Sequence, residues 1–217
     1  MKTRLGKRLT ALFNVIADDY DSVWDLCCDH GRLGMALLET ERTPQVHFVD
    51  CIDSIMTDLA ARLAQYGARH YQLQCCPAEQ ITLPTTGKHL LVLAGVGDEV
   101  TVRIVQQLHA QTTDAEIDWL ISPANNLFQV RQFLQPIFGV LDEGVVAENG
   151  RLYEWLWVRS GVSKTIENPA PFWSPDDADH RRHLSKLLKH ARQQQRQAHN
   201  PQANAAALAY ARLLESR

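Results

Sequence analysis

Apolar positions in this chain come in short runs whose spacing alternates between helical and strand periods. Leu5, Leu9, Leu12, Phe13 and Ile16 recur every three or four residues and predict an amphipathic helix over 3–17, with Arg4, Lys7 and Arg8 on its wet side. Val23 to Cys28 is a short apolar run bounded by acids and predicts a strand; Leu33 to Leu38 then continues at helical period. Val46 to Val49 is the next strand. The helix after it shows Ile55, Leu59, Leu63 and Tyr66 on one face, with Gly67 placed to cap its end. Tyr71 to Cys75 is a third strand and His89 to Ala94 a fourth, near-continuously apolar as a strand covered on both faces must be. A helix over Glu99 to Leu108, a strand over Ile117 to Ile121, and a helix capped by Asn125 or Asn126 and running through Phe133 follow.

The pattern changes at Val140. Two runs, Val140 to Ala147 and Leu152 to Val158, flank Asn149-Gly150, the pair that a type I' hairpin turn favours, so these strands are antiparallel to each other. Parallel neighbours need crossover helices and a hairpin does not. Five strand–helix alternations closed by a hairpin therefore predict an α/β fold: a seven-stranded, mostly parallel, doubly wound sheet with a reversed last strand. This outline resembles that of Rossmann-like class I methyltransferases. Pro169, Pro171 and Pro175 break the segment that follows. Asp177 to His199 and Pro201 to Leu214 then read as a helical hairpin. The expected organisation is a domain over 1–161, a linker over 162–176 and a C-terminal helical, coiled-coil-like domain over 177–217.

Composition narrows the picture. With 217 residues, 45% of them apolar, there is material for one well-buried domain with a helical appendage. No apolar run approaches the roughly 20 residues that span a bilayer. Arg8, Thr10 and Asn14 interrupt what a signal peptide would keep apolar, so a cytoplasmic chain is expected. Five cysteines, two vicinal pairs plus Cys51, make a poor disulfide framework and lack the spacing of a zinc site; reduced thiols and no metal are expected. The net charge of −3 hides a segregation: residues 1–177 carry 14 Lys/Arg against 23 Asp/Glu, whereas 178–217 carry 8 against 2. Lys2, Arg4, Lys7 and Arg8 add a second basic cluster. An acidic body with basic ends suits a polyanion held at the ends, or simply presents solvated faces.

Ligands of open parallel sheets bind beyond the carboxyl ends of the strands. Four loops lie there. In the first, Asp25 to Gly34, Gly31 and Gly34 suit either a close backbone approach to a ligand or a tight turn into the helix. Asp50, about 20 residues on, stands where a carboxylate accepts hydrogen bonds from ribose hydroxyls, or caps the next helix. Cys76-Pro77-Ala78-Glu79 can flank an adenine, with Glu79 toward its amino group or in solvent. Ala94-Gly95-Val96-Gly97-Asp98 puts glycines directly after a buried strand, where a bulky residue would block a cleft, or serves helix entry. Asp29 and His30 are each a conceivable general base, or a turn organiser and a solvated residue. No Gly-x-Ser-x-Gly, P-loop or HExxH is present, so hydrolase and NTPase readings lack support.

In order along the chain, DLCCDHGRLGMAL, LVLAGVGDEVTVRIVQQL, WLISPANNLFQVRQFL and EGVVAENGRLYEWLWV resemble the bacterial tRNA (adenine-22-N1)-methyltransferase family over about residues 1–160. The most specific elements are Asp25 with Asp29-His30-Gly31, the Ala94-Gly95-x-Gly97 turn, Pro123 with Asn125 and Arg131, and the hairpin from Glu143 to Tyr153-Glu154. The resemblance implies S-adenosyl-L-methionine as cofactor and tRNA as partner. It implies that Asp25 and Gly31 shape the methionine pocket beside Cys27, that Asp50 holds the ribose with Cys51 beside it, that Cys76, Ala78 and Glu79 flank the adenine, that Ala94 and Gly95 also bind the cofactor, and that Gly95 to Gly97 form the floor of the substrate cleft. Asp29 would bind the exocyclic amine of the target base and help remove its proton. His30, Arg32, Gly97, Asn125 and Arg131 would meet the substrate in the cleft, and Arg4, Lys7, Arg8, Arg181, Arg182, Lys186 and Lys189 would follow RNA phosphates. Cys27 replaces a family glycine, Arg32 a common tyrosine, and Asp98 the second glycine of a Gly-Met-Gly-Gly turn. Alternatives are methyl transfer to another base or a small molecule, and a non-catalytic RNA-binding protein on the same scaffold.

Overall fold

The computed structural model describes residues 3–111, 113–125, 127–197 and 201–216. α1 (Lys7–Val15) precedes β1 (Ser22–Leu26), α2 (Arg32–Glu39), β2 (Val46–Asp50), α3 (Asp53–Gln65), β3 (Tyr71–Cys75), β4 (Lys88–Ala94), α4 (Asp98–His109), β5 (Glu116–Ser122), α5 (Phe128–Leu134), β6 (Gly139–Glu148), β7 (Arg151–Arg159), α6 (Ala178–Gln197) and α7 (Pro201–Glu215). Lys2, Asn126 and His199, all invoked above, lie outside the described residues. α1 is shorter than its apolar period because Thr3 is pulled aside: its N–H and hydroxyl both bond the Glu39 carboxylate, and the helix starts only after Gly6. The N-cap position of α5 is Leu127, not an asparagine.

The strand order is β3-β2-β1-β4-β5-β7-β6. β1 to β5 pair in parallel, and the reversed strand, β7, sits between β5 and β6 and is antiparallel to both. The order reverses between β1 and β4, which makes the carboxyl ends of those two strands the crevice of a doubly wound sheet. Asn149 and Gly150 both have positive φ, 49° and 72°, as a type I' turn requires. One polar cluster pins the reversed strand: Asp118 on β5, fully buried, accepts from the Arg159 guanidinium at 2.9 Å and the Trp157 indole at 3.3 Å, both on β7, and from the Tyr20 hydroxyl.

β1, β2 and most of β4 are buried along their length, and apolar side chains alternate into two layers. Trp24, Leu26, Leu91, Leu93, Trp119 and Ile121 join α4 and α5 on one face; Val23, Phe48, Leu90, Val92 and Leu120 join α1, α2 and α3 on the other. A third cluster attaches the C-terminal helices: Leu184, Ala191, Ala206, Ala207 and Tyr210 pack with Phe128, Ala170 and Trp173, against Val145 and Leu152 of the hairpin.

Candidate active site

The loop after β1 carries the densest polar geometry. Asp25, 5% exposed inside β1, accepts the Gly34 N–H at 3.0 Å. Burial pushes its carboxyl up to about 7, the Gly34 bond opposes the shift, and the charges of Asp50 and Asp29 add to it. Asp50, the last residue of β2, accepts two backbone N–H groups, Asp29 on Oδ2 at 3.0 Å and Ile52 on Oδ1 at 3.1 Å. The Asp50 carboxylate thus ties the end of β2 to the β1 loop and to Ile52 ahead of α3, without capping that helix, and each oxygen keeps acceptor capacity for one more donor. The Asp29 side chain is 68% exposed, with His30 Nε2 3.9 Å away.

Cys27 has φ +54° and Asp29 φ +50°, a region that glycine enters freely and side-chain-bearing residues rarely do. The loop therefore follows a glycine-like path without glycine at either place. The Cys27 thiol is half-buried and pushed up to about 12, by burial first and then by the charges of Asp50, Cys51, Glu79 and Asp25. Cys51 and Cys76 directly follow β2 and β3, so the three thiols stand at one edge of three adjacent strands. Gly31 has φ +60°, and a Cβ there would stand 2.7 Å from Leu59; its empty side faces the core of the α3 layer rather than a ligand. Gly34 likewise lets α2 approach the Phe48 ring.

Four expected site residues are placed otherwise than the sequence suggested. Arg131 is buried, 1% exposed, and does not line the cleft: its Nη1 bonds Glu143 at 2.8 Å and the Glu167 carbonyl at 3.3 Å, and its Nε bonds Glu154 at 3.3 Å. It joins α5 to the hairpin and to the segment leading to α6. His30 and Arg32 open with Asp58, Ala61 and Arg62 onto a shallow depression between α2 and α3 and do not line the groove that Asn125 bounds. Glu79, on the turn Ala78–Gln80 after β3, is engaged by Arg103 of α4, whose Nε lies 3.1 Å from Oε1; Ala78 beside it is buried.

At the end of β4, Gly95 has φ +93° and donates its N–H to the Ser122 carbonyl at 2.9 Å, fixing the turn against β5. Around Gly97 the space a Cβ would occupy is open to 4 Å. Next to this turn begins a groove of about 670 Å³, bounded by Asp98, Glu99 and Asn125 at the sheet edge, by Arg151 and Tyr153 of the hairpin, and by α6 and α7. Arg182 and Lys186 of α6 line it with His183 and His190; Arg181 and Lys189 do not. Arg182 bonds Asp179 at 2.7 Å and Arg181 bonds the Pro175 carbonyl at 2.7 Å. His183 stacks on Trp173, ring centroids 5.1 Å apart, and burial, then Lys186 and His180, press it down to about 4. Arg4 and Lys7 are exposed at the start of the chain, whereas Arg8 reaches the turn after β4. Sequence reasoning missed the groove's hairpin and histidine residues. The signal for the latter was present in the seven-residue spacing of His183 and His190, which puts them on one helical face with Arg182 and Lys186.

A doubly wound sheet whose reversed last strand is inserted beside β5, with an acid ending β2 and an open turn after β4, defines the class I methyltransferase architecture. The chain belongs to the family described as methyltransferase domain, which matches residues 5–156. No curated protein matches it. Among solved structures, the B. subtilis M1A22 tRNA methyltransferase TrmK is similar at 16% identity and a TM-score of 0.73, over 99% of this chain and 97% of that one. Streptococcus pneumoniae Sp1610 in complex with S-adenosyl-L-methionine is similar at 17% identity and a TM-score of 0.75, over 98% and 100%. M. capricolum TrmK in complex with S-adenosyl-homocysteine follows at 12% identity and a TM-score of 0.71, over 97% and 94%. At these identities the likeness establishes the fold, C-terminal helices included.

Proposed function

We propose that the protein transfers a methyl group from S-adenosyl-L-methionine to N1 of an adenine in tRNA, position 22 by family resemblance, in the cytoplasm. The observation that carries this reading is the groove: it begins at Asp98 and Glu99, beside the turn after β4 where the methyl acceptor of this architecture enters, and runs between the hairpin and the basic face of α6. Two of the structures similar over nearly the whole chain, helical hairpin included, carry the TrmK name. The five free cysteines suit a reducing compartment.

The residues at the strand ends fit the cofactor. Asp50 would accept the ribose hydroxyls with the capacity its two amide bonds leave, Asp25 and Cys27 would line the methionyl end, and Cys51, Cys76 and Ala78 the nucleoside. Ala94 and Gly95 would close the site toward the acceptor. When bound, S-adenosyl-L-methionine supplies an electrophilic methyl on a sulfonium. Adenine N1 is paired inside a duplex, so the base must be unpaired or extruded before it can enter. Its lone pair needs no activation, and positioning supplies much of the rate. Gly97 leaves room for the ring, Asn125 offers an amide to its edge, and the exposed Asp29 carboxylate would take the proton that leaves the exocyclic amine after transfer. Arg4, Lys7, Arg181, Arg182, Lys186 and Lys189 would hold phosphates of the folded RNA, and with domain boundaries at 161 and 177 the recognition helix pair would form one wall of the groove.

A second reading, methyl transfer to a smaller acceptor, is favoured by Asp98 and Glu99, which bring negative charge to the mouth of the groove. Calorimetric titration with S-adenosyl-L-methionine, repeated on Asp50→Ala, tests the shared step. Micromolar binding that disappears in the variant is expected. Absence of binding by the unaltered protein would overturn both readings and leave RNA binding alone. Mapping the methylated nucleotide in tRNA then separates the first reading from the second.

A further inference from the structure

Arg8 enters the cleft from outside the sheet. α1 lies against β6, and Glu148 Oε1, at the end of that strand, accepts the Arg8 backbone N–H at 3.3 Å. From this anchor the side chain runs over Tyr153, with the guanidinium carbon 5.0 Å from the ring centroid. Its Nη2 lies 3.0 Å from where a Cβ would stand on Gly95. Gly95 is the first residue past β4, and Tyr153 lines the groove. The guanidinium therefore occupies the junction of the two. The glycine after β4, expected to clear space for a ligand, also clears space for this arginine.

What makes the position informative is what the guanidinium lacks. Its Nε is buried without an acceptor. Among the described residues no carboxylate or carbonyl accepts from any of its N–H groups, and the nearby Glu148 is turned to the backbone of α1 instead. A ring face attracts the cation but leaves the five N–H donors of the fork unanswered. Stacking on Tyr153 also fixes the plane of the fork, so the donors are held in place before anything arrives. Arginine in such a setting is suited to a planar or tetrahedral oxyanion, bound by two parallel N–H···O bonds.

We propose that Arg8 is an anion receptor inside the reaction cleft, with Tyr153 as its positioning residue. It binds either the carboxylate of the cofactor's methionyl end or a phosphate flanking the acceptor base. The proposal rests on the methyltransferase reading above. It separates Arg8 from Arg4 and Lys7, which lie exposed on the same segment and lack any such setting.

The test uses the full chain and the variants Arg8→Gln, Arg8→Lys and Tyr153→Leu, each checked for cooperative thermal unfolding. S-adenosylhomocysteine and 5'-methylthioadenosine, which lacks the carboxylate, are titrated calorimetrically, and tRNA binding is measured across a salt series. If the anion is the cofactor's carboxylate, Arg8→Gln weakens S-adenosylhomocysteine about tenfold or more and leaves methylthioadenosine unchanged. If it is a phosphate, both nucleosides bind as before, and the slope of log affinity against log salt falls by about one. In either case Arg8→Lys recovers part of the loss, and Tyr153→Leu reproduces part of it. Unchanged nucleoside affinities together with an unchanged salt slope in a folded Arg8→Gln protein would overturn the proposal while leaving the methyltransferase reading intact. Failure of the unaltered protein to bind S-adenosylhomocysteine would overturn both.

Discussion

Replacing Arg131 by Met tests whether this arginine is a structural bolt or a substrate contact. Its side chain is 1% exposed and bonds two carboxylates that are themselves nearly buried, Glu143 at 6% and Glu154 at 5% side-chain exposure. Met has a similar length and fills most of the space, so little cavity cost is expected. The loss comes from the stranded acids. Breaking a buried pair by removing one partner costs about 3–5 kcal/mol, because an uncompensated charge remains. Burial already raises Glu154 above the usual carboxylate range, and Arg131 opposes the shift most, ahead of hydrogen bonds from Leu127 and Trp173. Without Arg131 the carboxyl moves further up and binds a proton more tightly in the folded than in the unfolded chain. Stability then falls as pH rises from the ordinary carboxylate range through the raised value, so the cost of Arg131→Met grows from pH 5 to pH 8. Urea unfolding at both pH values measures this. Adding Glu154→Gln should restore part of the loss at pH 8, since the two sites share one network. A folded Arg131→Met protein within about 1 kcal/mol of the parent at pH 8 that fails to bind RNA would refute the structural role; surface contacts, unlike buried pairs, cost that little.

Other positions give independent checks. Gly34→Ala would place its Cβ 2.7 Å from Phe48 Cζ; overpacking of about 1–3 kcal/mol outweighs the helix-propensity gain of roughly 1 kcal/mol, so Tm should fall by a few degrees, and a higher Tm would contradict the packing argument. Asp25, raised to about 7, binds its proton more tightly in the folded chain, so it costs stability as pH rises from about 4 to 7. Asp25→Asn should remove that slope, gaining on the parent by about 2–3 kcal/mol between pH 5 and 8 in denaturant titrations; parallel pH profiles would show that Asp25 is not the titrating group. Neutralising Arg181, Arg182, Lys186 and Lys189 together should weaken tRNA binding and flatten its salt dependence. The pair Arg182 and Lys186, which lines the groove, should account for more of the change than the pair outside it; an unchanged salt slope would mark α6 as a plain solvated face.

The sheet was legible because its central strands are buried on both faces, which writes unbroken apolar runs such as Leu90 to Leu93 into the chain, and because Asn149-Gly150 admits few other conformations. Side chains that leave their own element were not legible. Arg131 sits in a short amphipathic helix as a surface arginine would, and only its acids 12 and 23 residues later, brought alongside by the hairpin, turn it inward. Glu79 stands where an adenine contact was expected, but α4 brings Arg103 over it. Gly95 and Arg8 meet across 87 residues of sequence. In each case the local pattern named the residue type, and a long-range contact chose its partner. The groove itself is made by the packing of α6 and α7 on the hairpin and could be read from neither alone.

Cys27 shows the converse, a departure from pattern that the backbone explains. Where the resembling family has glycine, this chain has a thiol, yet φ at Cys27 is +54°, the region glycine would adopt. Left-handed backbone at a side-chain-bearing residue costs on the order of 1–2 kcal/mol. The loop holds it because the Cys28 N–H bonds the Val49 carbonyl at 3.0 Å and the Asp29 N–H bonds Asp50. The path of the chain around the strand ends is thus set by the β2 edge, and the glycine preference at this place reflects backbone geometry as well as room for a ligand. A cysteine satisfies the first requirement at a cost, and its thiol, pushed up to about 12, stays protonated and uncharged beside Asp25 and Asp50. The substitution therefore adds no charge of its own beside Asp25 and Asp50.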